Sequence, residues 1–178
     1  MYKIASNLIQ MTEKGPDKFY TPSDATFYDL FILKFKTIVD FVNPMKEKFG
    51  TEEVNEIVKK VGEDDGIKIA EQVKTQMPIN TIEDVKNFYI GFMNSKTMQA
   101  ALTYEILEET DKNLKFNVTE CLYAKGFKDL NETDLGYCAV CHADYAMVKA
   151  LNPKLKLTRT KTLMQGEDCC DFHFSMEK

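Results

Sequence analysis

Arginine is all but absent from this 178-residue chain: Arg159 stands alone, and every other strongly basic residue is a lysine. Histidine occurs twice, at His142 and His173, and no repeat, low-complexity tract or Pro/Gly/Ser-rich linker interrupts the sequence. Polar residues break each hydrophobic run before it reaches spanning length, so no transmembrane helix is predicted. The opening stretch Met1-Tyr-Lys-Ile-Ala-Ser-Asn-Leu-Ile-Gln10 lacks the long apolar middle of a signal peptide, and the expected location is the cytoplasm. The 23 basic residues are spread among 28 acidic ones, and a net charge of −5 repels phosphate backbones, which argues against nucleic acid as a partner. Five cysteines, an odd number, in a reducing compartment argue against a disulfide framework and leave metal binding, catalysis or core packing as uses for the thiols. Without an export route, the sequons at Asn117 and Asn131 are accidental.

The length fits one domain, residues 1–178. Its hydrophobic period changes near residue 97. Before that point Phe27, Phe31, Phe35, Ile38, Val42, Met45 and Phe49 recur in steps of four and three, predicting one amphipathic helix capped by Ser23 or Asp24 and ended by Gly50. Thr51–Val61 and Glu63–Met77 read as two shorter helices with a junction weakened by Gly62 and Gly66, the second stopped by Pro78. Thr81-Ile-Glu-Asp84 has the form of a capping box opening a further helix. Residues 1–96 thus form a helical scaffold, and its aromatic and methionine stripes are expected to be core.

Residues 97–178 carry the sheet. Leu102–Leu107 and Lys115–Thr119 flank a turn at Asp111-Lys-Asn113, and Lys156–Leu163 and Cys169–Phe174 flank a turn at Gln165–Asp168; helices over Cys121–Leu130 and about Thr133–Leu151 lie between the hairpins. The predicted fold is α+β, with N-terminal helices packed on a roughly four-stranded antiparallel sheet from the C-terminal half.

All the thiols and both imidazoles fall between Cys121 and His173. Cys138-Ala-Val-Cys141-His142 has the form of a haem-attachment site, but that chemistry occurs outside the cytosol, and a thioredoxin-like pair would need a βαβ setting. As half of a zinc site it lacks a second pair, because adjacent Cys169 and Cys170 point to opposite faces of a strand. Helical phasing instead groups Cys138, Cys141 and Asp144 or Tyr145, and strand phasing groups Cys170 with Phe172 and Phe174 on the core face. A site enclosed by Cys121, Cys141, Asp144 and Cys170 follows, set against burial of each thiol as a small hydrophobe. Arg159, placed mid-strand, either faces solvent or reaches a ligand carboxylate with its planar fork of donors.

The strings Val118-Thr-Glu-Cys121-Leu-Tyr-Ala124, Cys141-His-Ala-Asp144, Asn152-Pro153, Arg159-Thr-Lys-Thr-Leu163 and Gly166-Glu-Asp-Cys-Cys170-Asp-Phe-His-Phe174 resemble the L-2-amino-thiazoline-4-carboxylic acid hydrolase family. The family pattern falls on Cys121, Cys141, Asp144, Arg159, Gly166, Cys170 and Asp171, with Cys138 and Cys169 as additions. The Gly166-x-x-x-Cys170-x-Phe172 ending is also similar to vinyl-reductase-type domains, which hold a small molecule between helices and an antiparallel sheet. The resemblance implies hydrolytic opening of a carboxylated cyclic amidine. In one scheme a thiolate at Cys141 or Cys170 attacks and Asp144 relays protons; in the other, thiols and Asp144 hold a divalent metal that activates water. Arg159 and Cys121 would bind the substrate in either. The alternatives are a non-catalytic sensor of a small ligand and a structural metal module; oligomeric state stays open.

Overall fold

The computed structural model describes residues 25–177. Helix α1 (Phe27–Phe49) starts at a capping box in which the Thr26 hydroxyl accepts from the Asp29 amide at 3.1 Å and the Asp29 carboxylate accepts from the Thr26 amide at 2.8 Å. The cap is therefore Thr26; Ser23 and Asp24 lie outside the described residues. Phe31, Val39 and Val42 are buried, but Ile38, Met45 and Phe49 of the predicted core stripe are exposed, and Phe41 beside them is 72% exposed.

Helix α2 (Thr51–Gln76) is continuous, which corrects the expectation of two helices meeting at Gly62. The glycines serve packing instead. A Cβ on Gly62 would stand 3.0 Å from the Ala139 carbonyl oxygen, and one on Gly66 would stand 2.7 Å from that of Ala143. A helix-interior glycine costs about 1 kcal/mol relative to alanine, which close packing of the two backbones can outweigh. Because backbone, not a flexible side chain, blocks the space, Gly66→Ala is expected to cost about 1–3 kcal/mol. A lowered urea midpoint at unchanged slope would show it.

Helix α3 (Ile82–Met93) opens at the predicted capping box, Thr81 with Asp84, and buries Ile82, Val85, Tyr89 and Met93. A short turn of helix, α4 (Lys96–Gln99), leads into β1 (Leu102–Glu109) and β2 (Asn113–Cys121), then α5 (Leu122–Asp129) and α6 (Thr133–Gly136). The predicted helix to Leu151 is interrupted by a π-helical turn at Tyr137–Cys141 before resuming as α7 (Ala143–Leu151). Strand β3 (Leu155–Thr158), a 3-10 turn at Leu163–Gln165 and β4 (Cys170–Met176) complete the chain.

The sheet is antiparallel throughout, in the order β1-β2-β4-β3. Register places Val118 opposite Cys170, Phe116 opposite Phe172 and Leu114 opposite Phe174, so one face is a continuous apolar floor. Helices α3 and α7 cover it: Tyr89, Val85, Val148 and Leu151 share a buried cluster with Leu114, Phe116, Cys170 and Phe174. A second cluster joins α1, α2, α5 and α6 through Val42, Val54, Phe127 and Leu135. Cys121 packs against both clusters.

Candidate functional site at the Arg159–Asp144 pair

Strand β3 stops at Thr158, one residue short of Arg159, so the arginine is not mid-strand as the alternation predicted. The cause is Asp171. Its carboxylate accepts from the amides of Thr160 (2.8 Å) and Lys161 (2.6 Å) and from the Thr160 hydroxyl (2.6 Å), taking over from ladder bonds and turning the segment off the sheet. Gly166, left-handed at φ 92°, ends the following 3-10 turn where a side chain would be strained. Arg159 is thereby directed inward, and only 1% of its side chain is accessible.

Inside, Arg159 Nη1 donates to Asp144 Oδ2 and Nη2 to the Cys141 carbonyl, both at 2.6 Å. The π turn frees that carbonyl. Its wider winding sends the His142 amide to Tyr137 O at 2.9 Å, and the Tyr145 amide turns to His142 O at 3.2 Å, leaving Cys141 O for the arginine. The guanidinium carbon lies 4.8 Å from the Phe172 ring centroid and 5.2 Å from that of Tyr145. Two faces of aromatic π density thus flank the cation. Arg159 thus avoids solvent, and within the fold it holds the chain's own Asp144 carboxylate.

Of the residues singled out in the sequence, Cys121, Cys141, Asp144, Arg159 and Cys170 lie close enough to act on one another electrostatically. Burial raises the pKa of all three thiols, and Cys141 rises furthest, burial outweighing the opposing Arg159 charge there. The Cys170 sulfur accepts the Leu163 amide at 3.2 Å, which partly offsets burial there. Burial also lifts the Asp144 carboxyl above the usual range, against the pull of Arg159. Asp144 nevertheless keeps 28% of its side chain accessible, so it borders open space while its partner does not.

Two buried donors next to this pair, Arg159 Nε and the Tyr89 hydroxyl, have no hydrogen-bond partner among the described residues. Nothing local in the sequence marks Tyr89, which sits in an ordinary apolar stripe; only the fold lays it over the sheet. A groove of about 520 Å³ is lined by Ala101, Cys121, Ala124, Lys125 and Leu163 among others. Cys121 is common to the groove and the interior cluster.

The remaining candidates are dispersed. His142 pairs with Glu63 at 2.9 Å and His173 with Asn113 at 3.0 Å. Cys138 faces the charged side chains of Glu56 and Lys59 on α2, and Cys169 precedes β4 beside Asp168. Among the described residues no group of three or more His, Cys, Asp or Glu side chains is placed to hold a metal ion, so the metal-water scheme finds no ligand set there. No helix among them is long and apolar enough to cross a membrane.

Comparison with solved structures places this fold beside a crystal structure of the phenol-responsive sensory domain of the transcription activator PoxR with phenol. The TM-score is 0.52 at 10% identity, covering 99% of this chain and 91% of that one. A trafficking protein particle complex subunit 3 from Naegleria fowleri, covalently bound to palmitic acid, aligns with a TM-score of 0.48 at 9% identity over 85% of this chain and 95% of that one. At such identities the likeness concerns the fold. No curated protein matches the chain in sequence. Residues 31–174, helices as well as cysteine-bearing motifs, match a family model, and the chain belongs to the L-2-amino-thiazoline-4-carboxylic acid hydrolase family.

Proposed function

We propose that the chain hydrolyses a small carboxylated cyclic amidine, of which 2-aminothiazoline-4-carboxylate is the type, at the Arg159–Asp144 pair. The observation that carries the reading is the free Nε–H on a buried guanidinium whose other edge is occupied. An unmade hydrogen bond at a buried donor costs about 1–3 kcal/mol, and a ligand carboxylate at that edge would remove the cost. A protonated amidine at the far end of the same ligand is complementary to the open flank of Asp144. The ligand's two charges then meet the protein's two.

Cys141 supplies the nucleophile in this scheme. Because burial holds its thiol neutral, it reacts with transfer of its proton to Asp144 as the carbon–sulfur bond forms at the amidine carbon. One ring bond to that carbon then breaks, and the departing ring atom takes the proton from Asp144. Water adds to the same carbon, the bond to Cys141 breaks, and its thiol is restored; the net change is one water consumed and one ring opened. Cys121 and Cys170 border the site and act in binding.

The raised thiols also favour a second reading, a module that binds the same ligand without turning it over, since a neutral thiol is the weaker nucleophile. Incubating the full chain with 2-aminothiazoline-4-carboxylate and following carbamoyl-cysteine by mass spectrometry separates them. Release that disappears in Cys141→Ala but survives in Cys169→Ser supports the hydrolase. Saturable binding with no release supports the module, and release that persists in Cys141→Ala removes the thiol mechanism.

A further inference from the structure

We infer that Tyr89 on helix α3 is a ligand-recognition residue, its hydroxyl and the Nε–H of Arg159 together taking the carboxylate of a small ring ligand. The inference rests on the binding reading above and adds a residue from the helical half of the chain to a site otherwise built from the C-terminal half.

Tyr89 is 6% exposed, and the rest of the buried face of α3, Ile82, Val85 and Met93, is apolar. A phenylalanine would pack there without leaving a polar atom stranded. The tyrosine instead carries a hydroxyl with no partner among the described residues, and buried hydroxyls are nearly always paired. Burial and the nearby Asp144 charge keep it protonated, so it is available as a donor.

Its position is set by the aromatic floor. The Tyr89 ring lies 4.5 Å from that of Phe174, and the Arg159 guanidinium lies 4.8 Å from that of Phe172. Phe172 and Phe174 are near-parallel neighbours 6.1 Å apart on the same face of β4. The two unpaired donors therefore belong to side chains packed on adjacent rings of one surface, with Tyr89 within electrostatic reach of both Arg159 and Asp144. Each donor comes from a different element, α3 and the segment after β3, so the clamp exists only in the folded chain. Asp144 already fills one edge of the guanidinium, which leaves the Nε edge to be shared with Tyr89.

Titration calorimetry of the full chain with 2-amino-2-thiazoline-4-carboxylate, and with 2-amino-2-thiazoline lacking the carboxylate, tests this. Tyr89→Phe is expected to weaken the carboxylated compound about ten- to a hundredfold, as a lost hydrogen bond to a charged group does, and to leave the other unchanged. Removing the stranded hydroxyl should also raise the melting temperature of the unliganded protein, so weak binding cannot be ascribed to unfolding. Unchanged affinity for the carboxylate, or equal loss for both compounds, overturns the role of Tyr89 alone. A wild-type chain that binds neither compound overturns the substrate reading and the clamp with it.

Discussion

Arg159→Met is expected to destabilise the protein by about 3 kcal/mol at neutral pH, the cost of breaking a buried ion pair and leaving one charge behind. The figure is taken at the low end because the Asp144 carboxylate remains partly open to solvent, whereas the arginine does not. Methionine preserves much of the packing between the rings of Tyr145 and Phe172. It removes the charge and the hydrogen bonds to Asp144 and the Cys141 carbonyl. That carbonyl, freed from the helix by the π turn, then has no donor.

The deficit should depend on pH. Burial already raises Asp144, and without the arginine nothing opposes that rise. A carboxyl with a folded pKa above its unfolded value favours folding when protonated, so the variant recovers stability relative to wild type as pH falls through the raised value. Urea denaturation of both proteins at neutral and mildly acidic pH measures this. Arg159→Met combined with Asp144→Leu should restore most of the loss, since replacing both partners of a buried pair is often neutral. A double variant no more stable than the single one would mean that the carboxylate left behind is not the source of the cost.

Features fixed by local chemistry were legible in the sequence. The Thr81–Asp84 capping box, the stop before Pro78 and the hairpin around Asp111-Lys-Asn113 depend on residues within a few positions of one another. So does the phasing of β4, which correctly set Cys170, Phe172 and Phe174 on the core face. What escaped depends on contacts distant in sequence. Gly62 and Gly66 read as a helix break because their intrinsic propensity is poor, and only the approach of the Cys138–Met147 segment explains them. The α1 stripe read as core, yet periodicity cannot tell a face that meets a neighbour from one left open at Phe41 and Phe49. The helical spacing of Asp144 with Cys141 is visible in the sequence, but its pairing with Arg159 depends on the Asp171 hydrogen bonds that turn the chain inward after β3. Tyr89 had no local signal, because a tyrosine in an apolar stripe becomes informative only when its hydroxyl is seen to lack a partner.

Raising the pH above about 9 should unfold this protein more steeply than its lysine content alone explains, because its interior thiols resist ionisation. An unfolded thiol titrates near 9, and burial pushes Cys121, Cys141 and Cys170 above that, Cys141 furthest. Between the unfolded and folded values the unfolded chain has released protons that the native chain still holds, so stability falls as pH rises. It is fully present below the unfolded value and lost on the way up through the folded ones. Each thiol so held steepens the fall by about 1.4 kcal/mol per pH unit. Cys141→Ser isolates one contribution, since its hydroxyl does not titrate in this range. Urea midpoints measured from neutrality to about pH 10.5 should give a slope shallower in the variant by one proton. Equal slopes would mean that Cys141 ionises as readily folded as unfolded. Burial would then not be what keeps the thiol protonated, although a thiol titrating near 9 is still almost wholly neutral at neutral pH.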